Sequence, residues 1–125
     1  IEKVNFYAGV HIDSTIVPLR QGLAICNKPR VKSKRYLPPC MKDWEIIWVE
    51  DVTAQVFYQY PYASKWIGLN MLSINKDTVI VDTAQLELST VLEKKGFTVI
   101  PHTLRHSRTL GGGHHCVTLD TWRED

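Results

Sequence analysis

Two apolar, β-branched runs, Ile67 to Ile74 and Thr78 to Val81, flank the turn-forming Asn75-Lys76-Asp77. Such runs around Asn and Asp predict a β-hairpin. Directly after it, Leu88, Val91 and Leu92 recur at helical spacing between Thr83 and Gly96. Thr83 is a capping residue type and glycine a helix stop, so a helix from about Ala84 to Lys95 is expected, with Thr83 as its N-cap. Phe97 to Ile100 returns to the strand pattern. The middle of the chain therefore reads as a β-β-α-β unit.

The first third reads as a looser copy. His11 to Leu19 and Leu23 to Cys26 pair around Arg20-Gln21-Gly22, and a basic, proline-containing connection leads to the β-type run Trp44 to Val49. Two such units suggest a repeat architecture, because one alone leaves an apolar face uncovered. Between them, Gln55 to Trp66 is aromatic, contains Pro61 and reads as a shaped loop. Long loops on a compact scaffold frequently carry function.

Composition narrows the class without naming a task. A chain of 125 residues, 44% hydrophobic and 22% charged, is an ordinary soluble globular protein; the β-β-α-β pattern makes it α/β, and residues 1–125 are read as a single domain. The net charge of +2 is too small to point to nucleic acid, and the basic run Lys28 to Lys42 is broken by Pro29, Pro38 and Pro39. That run reads as a solvated loop. No long apolar stretch and no signal-peptide pattern occur, so no membrane partner and a cytoplasmic location are expected. Cys26, Cys40 and Cys116 are an odd set without a C-x-x-C pair, which argues against a disulfide framework or a ribbon-type zinc site. The first residue is Ile1, which leaves open a fragment or a lost start.

Candidate chemistry centres on Leu110-Gly111-Gly112-Gly113-His114-His115-Cys116. A thiol beside imidazoles can be held as a thiolate, and glycines let backbone come close. If His114 to Leu119 is extended, His114, Cys116 and Thr118 share one face and His115 points the other way. His11-Ile12-Asp13, read as the start of a strand, likewise puts His11 and Asp13 on one face. An imidazole and a carboxylate there can hold a cation and move a proton. Blander readings stand beside these: Cys116 as a small buried hydrophobe, and the pair as a strand histidine with a solvated aspartate. His102, His106, His114, His115 and Cys116 have a spacing that superficially suits zinc, but the triple glycine and strand-like flanks fit no usual finger, and no metal is expected. Arg30 and Ser64 are individually unremarkable.

Together the segments resemble a known family. They are Val10-His11-Ile12-Asp13-Ser14-Thr15, Asn27-Lys28-Pro29-Arg30, Ala63-Ser64-Lys65-Trp66 followed by Asn70, the β-β-α-β unit, and Arg105-His106 leading into Gly-Gly-Gly-His-His-Cys116. The chain resembles the C-terminal half of the amidinotransferases, the arginine:glycine type of the guanidino-group-modifying (pentein) superfamily. Arg105 to Thr121 is most similar to the bacterial amidinotransferases of guanidino-toxin biosynthesis. The resemblance implies an α/β propeller of five β-β-α-β blades, two to three of them in this chain. It implies transfer of the amidino group from L-arginine to an acceptor amine through a Cys116 amidino-thioether, without a cofactor. On it, Cys116 is the nucleophile, His11 the general acid/base, and Asp13 the guanidinium grip. Arg30 would bind the donor carboxylate and Ser64 would line the pocket.

A guanidinium is planar and cationic, so a carboxylate such as Asp13 can hold it bidentately. Thiolate attack on that cation develops no oxyanion, so Gly111 to Gly113 are read as backbone spacing. Two departures from the family matter. Its N-terminal half supplies further carboxylates, so this chain would need missing blades from a complementary half or a homo-oligomer. An aromatic usually stands where this chain has His114, which is expected on the Cys116 side, either tuning the thiol near the substrate or replacing aromatic packing. Two alternatives remain: a truncated, non-catalytic guanidinium-binding module, and a guanidino hydrolase of the deiminase type.

Overall fold

The computed structural model describes residues 7, 9, 11–54 and 62–122. Six strands form two three-stranded sheets, ordered β1-β2-β3 and β4-β5-β6. The first holds β1 (Ile16–Arg20), β2 (Leu23–Asn27) and β3 (Glu45–Val49). The second holds β4 (Leu72–Asn75), β5 (Thr78–Asp82) and β6 (Thr98–His102). In each sheet the first two strands are an antiparallel hairpin, and the third lies parallel to the middle one. The same topology thus occurs twice, as the sequence pattern led one to expect.

A parallel third strand requires a crossover. In the second unit α2 (Leu86–Lys94) supplies it, with Leu88 and Leu92 buried and Val91 at the exposed margin. In the first unit the crossover holds only the four-residue α1 (Lys28–Val31) and two single 3₁₀ turns, Lys34–Tyr36 and Pro39–Met41. Pro38 and Pro39 lack amide donors and clash with a preceding helical turn, so a regular helix cannot run through. Both middle strands are deeply buried, and the two units share one core. Val17, Leu19, Leu23 and Ile25 meet Leu69, Met71, Val79, Val81, Leu88, Leu92 and Phe97. Cys26 lies in a second cluster with Ile16, Val31 and Met41, and burial pushes its thiol pKa up to about 12. It is therefore inert packing.

Three local expectations are corrected. The run from Ile67 is not strand at its start: Lys65–Leu69 is a 3₁₀ helix, and β4 begins at Leu72. Short apolar runs do not distinguish these states by pattern. A side chain at Gly68 would lie 2.6 Å from Gln85 Nε2, so this turn packs closely on the start of α2. Thr83 does not cap α2; Gln85 is its N-cap, and Thr83 Oγ1 instead meets Thr103 Oγ1 at 2.7 Å. His11 to Asp13 is also not strand, because Ile12–Ser14 forms a 3₁₀ turn before β1. Val10 and residues 55–61 of the expected aromatic loop lie outside the described residues. Among those described, no helix is long and apolar enough to cross a membrane.

Candidate active site

The turn at Ile12–Ser14 gathers hydroxyl groups on one carbonyl. Ser14 Oγ and Thr15 Oγ1 donate to the His11 carbonyl at 3.1 and 3.0 Å. Both hydroxyls in turn accept from Arg30 Nη1, at 3.1 and 2.9 Å. Arg30 reaches them because Asn27 caps α1: its side chain accepts the Arg30 amide at 3.2 Å, and Pro29 pre-sets the first turn. Arg30 Nη2 faces Ser64 Oγ at 3.5 Å. Gly9, at φ +112°, passes so close that a side chain there would lie 2.6 Å from the guanidinium carbon. Arg30, Ser64 and His11 thus line one cavity of about 370 Å³, with Tyr62, Leu110 and Gly111 on its other walls.

The cysteine segment is shaped by glycine and by Asn70. Helix α3 (Ser107–Leu110) ends on Gly111 in the left-handed region at φ +77°, a conformation that favours glycine. Gly113 then packs against Asn70 so closely that a Cβ there would lie 2.4 Å from Asn70 Cβ. Asn70 is 1% exposed. Its carbonyl accepts the His114 amide at 2.9 Å, and its Oδ1 accepts the Cys116 amide at 3.0 Å. Its Nδ2 reaches the Asp13 carbonyl at 3.5 Å. One buried amide therefore ties the cysteine turn to the histidine–aspartate turn. Gly113 is thus a close-approach position, whereas a Cβ at Gly111 would meet nothing within 4 Å.

Cys116 Sγ lies 3.2 Å from Asp13 Oδ2 and 3.8 Å from His11 Nδ1. His11 Nδ1 lies 3.8 Å from Asp13 Oδ1. His115 Nδ1 donates to Asp13 Oδ2 at 2.8 Å. Burial would raise the Asp13 pKa, but hydrogen bonds from His115, Asn70 and Cys116 outweigh it and hold the carboxylate below its usual range. The Cys116 thiol is held above its ordinary range, by burial first and then by the hydrogen bond and charge of Asp13. Hydrogen bonds from Gly113 and Asn70 oppose that rise without cancelling it. At rest the pair is thus a thiol donating to a carboxylate.

His114 is placed differently from the expectation. Residues 113–118 form a turn, with the Val117 amide on the Gly113 carbonyl and the Thr118 amide on the His115 carbonyl, so strand alternation does not apply. His114 is 7% exposed and packs edge-on against His102, with ring centroids 5.3 Å apart and Nε2 3.1 Å from His102 Nδ1. Burial lowers its pKa, although the nearby Asp82 charge opposes this. His114 therefore packs against His102, while His11 is the histidine in contact with the Cys116 sulfur and His115 lies on the Asp13 carboxylate.

The sequence reading brought Cys116, His11, Asp13, Arg30 and Ser64 forward, and the fold brings all five to one region. It turned His115 away from Cys116 and gave Asn70 no role. Asn70 had a signal of its own: an amide side chain in the apolar stretch Ile67 to Met71 must find partners if it is buried. Asn70→Ala is expected to lower stability by about 1–3 kcal/mol, because the Cys116 amide loses its acceptor. Denaturant unfolding measures it.

A thiol, an imidazole and a carboxylate in mutual contact, beside an arginine-lined cavity, make up the parts of a thiol-based group-transfer site. The similar proteins are transferases. No family model matches the chain. Inosamine-phosphate amidinotransferase 1 from Streptomyces griseus is 46% identical over 120 residues, covering 95% of this chain and 34% of the relative. L-arginine:L-lysine amidinotransferase from Pseudomonas savastanoi pv. phaseolicola is 29% identical, covering 91% of this chain and 31% of the relative. A solved inosamine-phosphate amidinotransferase from Streptomyces griseus superposes with a TM-score of 0.87 at 44% identity, covering 95% of this chain and 34% of that one. Over the part that matches, the chain is a homologue of amidinotransferases. It spans about a third of the length of these relatives, less than the half that its motifs suggested.

Proposed function

We propose that this chain carries the nucleophile-bearing part of an amidinotransferase that takes its amidino group from L-arginine. The contact of Cys116 with both Asp13 and His11 is the observation that carries this reading. Asp13 grips the guanidinium through charge-assisted hydrogen bonds. His11 takes the Cys116 proton, and the resulting thiolate adds to the guanidinium carbon. The carbon–nitrogen bond to the rest of arginine breaks, and His11 delivers the proton that lets ornithine leave as an amine. An acceptor amine then attacks the amidino-thioether, His11 takes its proton, and the thiolate returns. The two units of common topology suit blades of a five-bladed propeller, whose other blades come from a complementary segment or from further copies.

Arg30 takes the donor carboxylate in this reading. Its Nη1 is committed to Ser14 and Thr15, which leaves Nη2 aimed with Ser64 into the cavity. Arg30→Lys loses the planar fork. It is expected to raise KM for arginine by roughly 10–100-fold with little change in kcat. Agmatine, which is arginine without its carboxylate, is expected to be indifferent to the change. Steady-state kinetics with both donors check this.

Transfer is favoured over hydrolysis because the relatives carry amidinotransferase names. Product analysis tests the choice. The chain, supplied with the complementary part of a relative, is incubated with arginine and an amine. Ornithine and an amidinated amine are the products expected; citrulline would identify a hydrolase, and no product a binding module.

A further inference from the structure

We propose that His11, Asp13 and Cys116 form a zinc-binding site in which the metal caps the thiol. Among the described residues these three are the group whose ligand atoms gather closely enough, all within 4.8 Å of one another. The five residues whose spacing superficially suits zinc do not share one centre: His114 pairs with His102, and His115 bonds Asp13.

Zinc takes Cys, His and carboxylate ligands in tetrahedral geometry, at about 2.3 Å for sulfur and 2.0–2.2 Å for nitrogen and oxygen. A tetrahedron with those arms has edges of roughly 3.3–3.6 Å. The observed separations are 3.2 Å for sulfur to Asp13 Oδ2, 3.8 Å for sulfur to His11 Nδ1, and 3.8 Å for His11 Nδ1 to Asp13 Oδ1. The two Asp13 distances belong to different oxygens; with one oxygen as the ligand the three donors lie within 4.8 Å of one another, so side-chain rotations must draw them together by up to about 1.5 Å to seat the ion. The carboxylate spans the other two donors, one oxygen toward each. Three protein ligands leave a fourth position for water, the open arrangement of zinc sites built on three side chains.

An outer partner is already in place. His115 donates to Asp13 Oδ2 at 2.8 Å and fixes the carboxylate's orientation, as supporting groups do around metal ligands. On binding, the Cys116 thiol gives its proton to solvent and its sulfur bonds the metal. That sulfur is then closed to any electrophile. In the amidinotransferase reading, on which this last consequence rests, zinc therefore switches off the nucleophile reversibly.

Cobalt(II) serves as the spectroscopic probe, and no substrate is needed, so failure here is separate from failure of the transferase reading. One equivalent of Co²⁺ added to the reduced chain should produce a thiolate-to-cobalt charge-transfer band that Zn²⁺ bleaches. Cys40→Ser, which removes an exposed thiol elsewhere, should retain the band. Cys116→Ser should lose it. His11→Ala and Asp13→Asn should each weaken binding more than about tenfold, since even an outer-partner change commonly has that effect. Should Cys116→Ser not fold, alkylation of the wild-type chain decides: one equivalent of zinc should block carboxymethylation of Cys116 and leave Cys40 reactive. No band, a band that survives Cys116→Ser or vanishes in Cys40→Ser, or unprotected Cys116 would each overturn the proposal.

Discussion

Asp13→Asn should move two measurements in opposite senses. Arginine affinity should fall about 30-fold or more, the effect of stripping one partner from a close charge pair worth roughly 2–5 kcal/mol. Cys116 alkylation should begin at lower pH than in the wild type. The sign follows from the neighbours: the Asp13 carboxylate is ionised and raises the thiol's pKa through its charge and the hydrogen bond it accepts. An amide carries no charge, so the thiolate forms more readily and the midpoint moves down. Burial of the thiol, the largest cause of the rise, is untouched and still acts to hold the midpoint up. Equilibrium dialysis with arginine and iodoacetamide kinetics against pH provide the two readings.

Gly113→Ala should destabilise the chain and misplace its thiol, whereas Gly112→Ala should do little. The added methyl at 113 would lie 2.4 Å from Asn70 Cβ and 2.5 Å from its Oδ1, inside any tolerable contact. Asn70 is fully enclosed and hydrogen-bonded on both sides of the site, so it cannot yield. Overpacking of this kind costs about 1–3 kcal/mol, which lowers Tm by roughly 5–15 °C in a chain of this size. At Gly112 the methyl would meet Cys116 Cβ at 3.4 Å and Val117 at 3.7 Å, close to ordinary contact. Thermal unfolding of the two variants gives the contrast.

Periodicity made the scaffold legible where strands were long and buried. Leu23 to Cys26 and Thr78 to Val81 read as strands because near-continuous apolar runs between turns suit a strand covered on both faces. The repeat was visible for the same reason. Alternation failed at His11–Asp13 and at His114–Cys116, since both segments are turns held by backbone and side-chain hydrogen bonds rather than by a sheet. His11 and Asp13 still meet, but through a 3₁₀ turn; His114 and Cys116 part company. No local pattern could bring residue 13 to residue 116, because that contact passes through Asn70 and the core joining the two units. The resemblance supplied the grouping of Cys116, His11, Asp13, Arg30 and Ser64, and the fold supplied the reason that it holds.

The central claim is that Cys116 accepts an amidino group from arginine. Arginine labelled at its guanidino carbon, acid quenching and peptide mass spectrometry test it most directly, on the chain alone and on the chain mixed with the complementary part of a relative. The account expects the label on the Cys116 peptide in at least the mixed sample, removable by an added amine and absent from Cys116→Ser. Label on no peptide in either sample, or label that persists in Cys116→Ser, would contradict it.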